Sequence, residues 1–233
     1  MWKLIRLEWK KNNTRKYMIY QAIVIAVLGI LLFSMCYYIP MEAETEMTDT
    51  VEEIGSMAMQ IDLLTNLSFL IFTSVMLSSF IIQGYKNKTQ SLMFSYPISR
   101  KKIIITQMMA VWIFCGAALL LGKLIIYLLL ALTSVTMDGY PLGYDITSVS
   151  FHIQIILKTV LTVTLAFIPL YIGKRMKSSK AAVISSFLLF SVMDGTIGDL
   201  TLRENTILPV LLFGVSLICG YLTVHNVEKE DVM

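Results

Sequence analysis

The chain has 233 residues, 56% of them apolar and 15% charged, with a mean hydropathy of +0.72. That balance excludes an ordinary water-soluble domain, because most of the sequence needs lipid or other apolar helices as its solvent. The net charge of +3 is an average over strongly polarised segments and implies no nucleic-acid binding.

Residues Met1 to Lys16 are basic and amphipathic. On a helical wheel Trp2, Ile5 and Trp9 share one face while Lys3, Arg6 and Lys10 share another, the pattern of a helix lying among lipid headgroups with tryptophan as anchor. An interfacial elbow helix is the expectation, with a merely solvated basic flank as the alternative. The uncharged run that follows is longer than the core of a secretory signal and shows no small-x-small cleavage pattern before Pro40, so it reads as an uncleaved first span.

A spanning helix needs roughly 20 apolar residues to cross a hydrocarbon core of about 30 Å. Six segments meet that need, at about 17–39, 63–85, 103–132, 151–173, 181–198 and 207–225. The first, second and last are free of charge; the others contain Lys123, Lys158 and Asp194. The apolar runs are continuous and lack the alternation of a lipid-facing barrel. The expected fold is therefore an all-α integral membrane protein forming a single transmembrane domain over 1–233.

The first loop, Pro40 to about Ile61, carries Glu42, Glu44, Glu46, Asp49, Glu52 and Glu53 without a basic residue. It reads as a solvated outer loop, or as an acidic mouth that concentrates a cationic solute. The second loop is its opposite: the Lys86–Lys102 block, KNKTQSLMFSYPISRKK, is basic and contains Pro97. A short helix is expected from about Lys88 to Phe94, stopped by Pro97. The third span stays apolar to about Val135, too short for two crossings, and is expected as one long tilted helix with Lys123 snorkelling outward. A turn-rich outer loop follows, with Asp138, Gly139, Tyr140, Pro141, Gly143 and Asp145.

Orientation follows from the lysines and arginines. With both termini in the cytosol, sixteen of the nineteen fall on the inner side, leaving only Lys123, Lys158 and Arg203 elsewhere.

Each intramembrane charge costs roughly 2.5–3.5 kcal/mol at mid-bilayer and so carries a functional expectation. Counted from the cytosolic ends of their spans, Lys158 and Asp194 lie at similar depth toward the outer side. They are expected either to pair between the fourth and fifth spans, near the outer end of a translocation path, or to snorkel separately to water.

Recognisable catalytic apparatus is missing from the sequence. The two histidines, His152 and His225, are far apart, and no H-E-x-x-H, G-x-S-x-G or phosphate-binding glycine loop occurs. Cys36, Cys115 and Cys219 have no metal-ligand spacing and read as small buried hydrophobes, so neither metal nor disulfide is expected.

The run Ser95-Tyr96-Pro97-Ile98-Ser99-Arg100-Lys101-Lys102, preceded by Lys86-Asn87-Lys88-Thr89 and an apolar turn, resembles the cytosolic loop between the second and third spans of type-2 ABC exporter permeases. The start, Trp2 to Lys11, is similar to the elbow helix of the same small bacterial permeases, which include subunits of lantibiotic-immunity, bacitracin and peptide-toxin exporters. The resemblance implies a half-transporter in the bacterial cell membrane, paired with a second permease chain, identical or paralogous, and docked on cytosolic ABC ATPase subunits. Lys88, Leu92, Met93, Phe94, Tyr96, Pro97 and Arg100 would then couple the chain to the ATPase. ATP and Mg would be bound by that partner, with no cofactor in this chain. The implied cargo is an antimicrobial peptide, a peptide toxin or a similar hydrophobic solute moved outward through the lipid bilayer. A non-transporting membrane sensor or scaffold, and an intramembrane lipid-modifying enzyme, are the rival expectations.

Overall fold

The computed structural model describes residues 2–43, 57–82, 100–136, 148–194, 196–197, 200–201 and 207–225. Within them the chain forms helices α1 (Trp2–Lys11), α2 (Thr14–Ala43), α3 (Met57–Leu77), α4 (Arg100–Thr136), α5 (Val149–Leu165), α6 (Phe167–Arg175), α7 (Ser179–Asp194) and α8 (Ile207–His225). A π-helical turn, Ser78–Ile82, extends α3. After α7 comes a minimal antiparallel pairing of β1 (Thr196–Ile197) with β2 (Leu200–Thr201).

Five stretches are long and apolar enough to cross a membrane: Thr14–Met35, Met59–Ile82, Lys101–Leu132, Val149–Arg175 and Leu208–His225. The protein is thus built as a multi-pass membrane protein. The expected fifth crossing, 181–198, is shorter in the structure: α7 is a 16-residue helix that ends at Asp194. At 1.5 Å per residue it covers only about 24 Å, less than an untilted crossing of a core of about 30 Å.

Local chemistry explains the breaks. Asn13 takes a left-handed backbone (φ 53°) between α1 and α2, a conformation that asparagine tolerates better than most residues. Ser148 caps α5 by accepting the amide of Phe151 at 3.3 Å. Pro169 has no amide to offer Leu165, so the α5–α6 span breaks at Ala166. After α6, Ser178 donates to the Gly173 carbonyl at 3.0 Å and Lys177 to that of Lys174 at 3.1 Å, with Lys177 left-handed at φ 50°. That is a Schellman turn with lysine where glycine is usual. It folds α7 back so closely that Gly173 faces Ala182 and Ile82 with no room for a side chain.

Helix α3 sits at the centre, with 61% of its spanning stretch buried, against 17% for α2 and for α8. Its Phe69, Leu70 and Met76 pack with Ile104, Val111 and Leu119 of α4 in the main core. A smaller cluster lies toward the other end of the bundle, where Leu28 and Leu32 of α2 join Ile61, Ile126 and Ile155. Helix α4 is a single uninterrupted element of 37 residues, about 55 Å long at 1.5 Å per residue, as the length of the third apolar run predicts.

Candidate functional site

Helix α3 starts at Met57, several residues before the expected span, and this carries Asp62 into the bundle. The carboxylate is buried at 5% exposure. Its Oδ1 accepts the Lys123 ammonium of α4 at 2.8 Å and the Tyr127 hydroxyl at 3.3 Å, while Oδ2 accepts the Lys158 ammonium of α5. Lys123 and Tyr127 are one helical turn apart and so present their polar ends on one face of α4. Tyr127 is held in turn by an edge-to-face contact with Phe151, with ring centroids 4.9 Å apart.

One carboxylate thus ties three helices. Desolvating these charges in an apolar bundle is expensive, and the expense is offset only by close ion pairing and by occupied lone pairs. Here both carboxylate oxygens are occupied. A turn further along, Thr162 of α5 donates to Asn66 of α3 at 3.3 Å, and deeper still Trp112 of α4, about three turns from Lys123, donates to Thr164 of α5 at 3.1 Å. These bonds continue the polar seam between the same helices.

The expectations for the intramembrane charges change accordingly. Lys123 does not snorkel to water: it is wholly enclosed, because Asp62 supplies an internal counter-charge. Lys158 is paired, but its partner is Asp62 on the second span; its side chain stays half-exposed. Asp194 closes α7, and its side chain lies outside the described residues. Asp62 escaped the sequence reading because it borders the apolar run that begins at Leu63. Two lysines within apolar spans, each needing a counter-charge, are the signal that points to a carboxylate here.

A second polar group lies at the opposite end of the bundle. The amphipathic segment is a helix, as predicted, but its enclosed face is Ile5, Glu8 and half-buried Trp9; Trp2 is 64% exposed and leans edge-on against Trp9. That face is enclosed because α1 packs along α4. Trp9 donates its indole N–H to the Ala110 carbonyl at 3.0 Å. The Glu8 carboxylate accepts from Asn12 at 3.1 Å and from Gln107 at 3.5 Å. Nearby, the Tyr17 and Ser79 hydroxyls join α2 to the π-helical turn at 2.8 Å, and Lys174 donates to the Thr223 carbonyl near the end of α8 at 3.0 Å. Of the expected coupling residues, Lys88, Leu92, Met93, Phe94, Tyr96 and Pro97 lie outside the described residues, while Arg100 opens α4.

Cys115 and Cys219 are free thiols. Among the described residues no three His, Cys, Asp or Glu side chains converge as metal ligands would. What the site offers is fixed charge and hydrogen bonding inside an apolar bundle.

No family model matches the chain, and no solved structure matches it. It is similar to an uncharacterised protein of Bacillus subtilis (strain 168), YcbO, with 26% identity over 168 residues, which covers 70% of this chain and 72% of that relative.

Proposed function

We propose that the chain is the membrane subunit of an ATP-driven ABC exporter that moves an antimicrobial peptide, a peptide toxin or a similar hydrophobic solute out of the bacterial cell. In this reading α7 is a short fifth crossing, the six crossings place both termini in the cytosol, and the Lys86–Lys102 block docks on a separate ATPase that binds ATP and Mg. A second permease chain completes the transporter. The subunit performs no covalent chemistry; it alternates the exposure of a path under the drive of its motor.

The observation that supports this best is the attachment of α1 to the first turns of α4 through Trp9–Ala110 and Glu8–Gln107. The basic block leads directly into α4 at Arg100. A push delivered at Arg100 would therefore reach the Asp62 seam along α4, and α1 through its hydrogen bonds to that helix. Replacing Leu92 and Phe94 with alanine tests the reading: ATP hydrolysis should continue while transport stops, and normal transport after the change would refute it.

A further inference from the structure

The Lys158 ammonium is bonded to Asp62, yet half of its side chain remains open on the outward face of α5. The surroundings on that face are those of a lipid-exposed helix: Ile153, Ile156 and Leu157 are 52%, 49% and 64% exposed, and Val160 is 36% exposed. Gln154, one turn from Lys158 toward the start of α5, is also exposed.

Depth decides what such a lysine can meet. Lys158 is nine residues after Val149, which puts its backbone about 14 Å inside the span at 1.5 Å per residue. Asp62 is five residues after Met57, only about 8 Å inside. The lysine therefore reaches back toward the end of the bundle, and its ammonium lies level with the carboxylate. With the membrane surface at the starts of α3 and α5, that level would fall about 8 Å below it, where headgroups give way to acyl chains.

An ammonium has three N–H donors and no acceptor. One donor goes to Asp62 Oδ2, and Lys123 and Tyr127 occupy the other oxygen. The remaining Lys158 donors need acceptors on an apolar, lipid-facing surface, where a charge without them is costly.

We propose that Lys158 and Gln154 form a binding site for an anionic phospholipid of the bilayer. The phosphate accepts from the Lys158 ammonium and the Gln154 amide, and an acyl chain runs along Leu157 and Val160 toward the membrane centre. Charge complementarity selects the anionic headgroup, and the apolar strip below it selects a lipid over a soluble anion. The bound phosphate completes the polar group begun by Asp62, so lipid composition would set how firmly α5 is held to α3. The inference stands apart from the transport reading.

The test uses the purified full chain in nanodiscs of phosphatidylcholine with a minor share of phosphatidylglycerol. The readout is the lipid retained after mild detergent extraction, measured by native mass spectrometry. The wild-type chain should retain phosphatidylglycerol preferentially. Lys158→Gln should lower that preference about fivefold, the worth of one basic residue at an anionic membrane surface, and Lys158→Arg should keep it. Thermal unfolding of each variant separates lost binding from lost folding: if Lys158→Gln does not fold, Gln154→Ala carries the test and should lower the preference in the same direction. Equal retention of the two lipids by the wild-type chain, or an unchanged preference in a folded Lys158→Gln variant, would overturn the proposal. Displacement of the lipid by millimolar inorganic phosphate would overturn it too, since it would assign the site to a soluble anion. No ATPase is present in the assay, so its outcome is independent of whether the chain exports anything.

Discussion

Lys123 of α4 is fully enclosed by the bundle and donates to Oδ1 of Asp62 on α3 at 2.8 Å. Removing one partner of a buried ion pair costs far more than the intact pair does, because the remaining charge loses its counter-charge. Asp62→Asn should therefore destabilise the folded chain by about 3–5 kcal/mol. Exchanging the charges, Asp62→Lys with Lys123→Asp, should recover part of that loss. Thermal unfolding of the purified chain in detergent measures both, and a double variant no better than the single one would break the assignment.

Lysine 158 engages the same carboxylate but keeps half its side chain exposed. Neutralising it should lower stability less than neutralising Lys123, because water and headgroups already solvate part of the charge. Parallel melts of Lys158→Gln and Lys123→Gln give the order directly.

The contact of α1 with α4 rests on the Trp9 indole hydrogen bond at 3.0 Å, the longer Gln107–Glu8 bond at 3.5 Å and packing. Trp9→Phe keeps an aromatic ring and removes the donor, leaving the Ala110 carbonyl without that partner. A loss of about 1 kcal/mol is expected, concentrated at α1. Limited proteolysis of the first residues should speed up while the melting of the bundle changes little.

Two glycines give opposite expectations. A methyl group at Gly173 would come within 2.6 Å of the Ala182 side chain, so Gly173→Ala should push α6 from α7 and cost about 1–3 kcal/mol. Nothing lies within 4 Å of the corresponding position at Gly116, so Gly116→Ala should be neutral or stabilise α4 by up to about 1 kcal/mol. Unfolding of the two variants side by side checks the packing of the α6–α7 hairpin.

The left-handed Lys177 supplies a third backbone test. Glycine at that position relieves the side-chain clash of the Schellman turn, and Lys177→Gly should raise stability by about 1 kcal/mol. A decrease would mean that the lysine side chain holds the turn more strongly than its backbone opposes it.

How much of this was legible beforehand can be judged residue by residue. Continuous apolar runs gave the long helices, including the single passage through α4, because length against bilayer thickness is a local property. The amphipathic start gave α1 for the same reason. Its buried face was less legible: the wheel groups Trp2 with Trp9, but which side is enclosed depends on where α4 runs, and Glu8 is buried because Gln107 and Asn12 await it. Asp62 was hidden by a boundary. An aspartate next to an apolar run reads as loop until the helix is seen to begin at Met57, and its pairing joins residues 61 and 96 positions apart. Spacing along one chain does not encode such distances; only the cost of two lysines within apolar spans pointed to a missing carboxylate.

In the proposed function a separate motor drives this subunit through the basic block, and purification from native membranes in mild detergent, with stoichiometry determined, tests that coupling. A nucleotide-hydrolysing ABC subunit should come with the chain in fixed ratio, and this association should be lost when Leu92 and Phe94 are replaced by alanine. A folded, intact chain that purifies with no such ATPase, from cells making all of its neighbours, would contradict it.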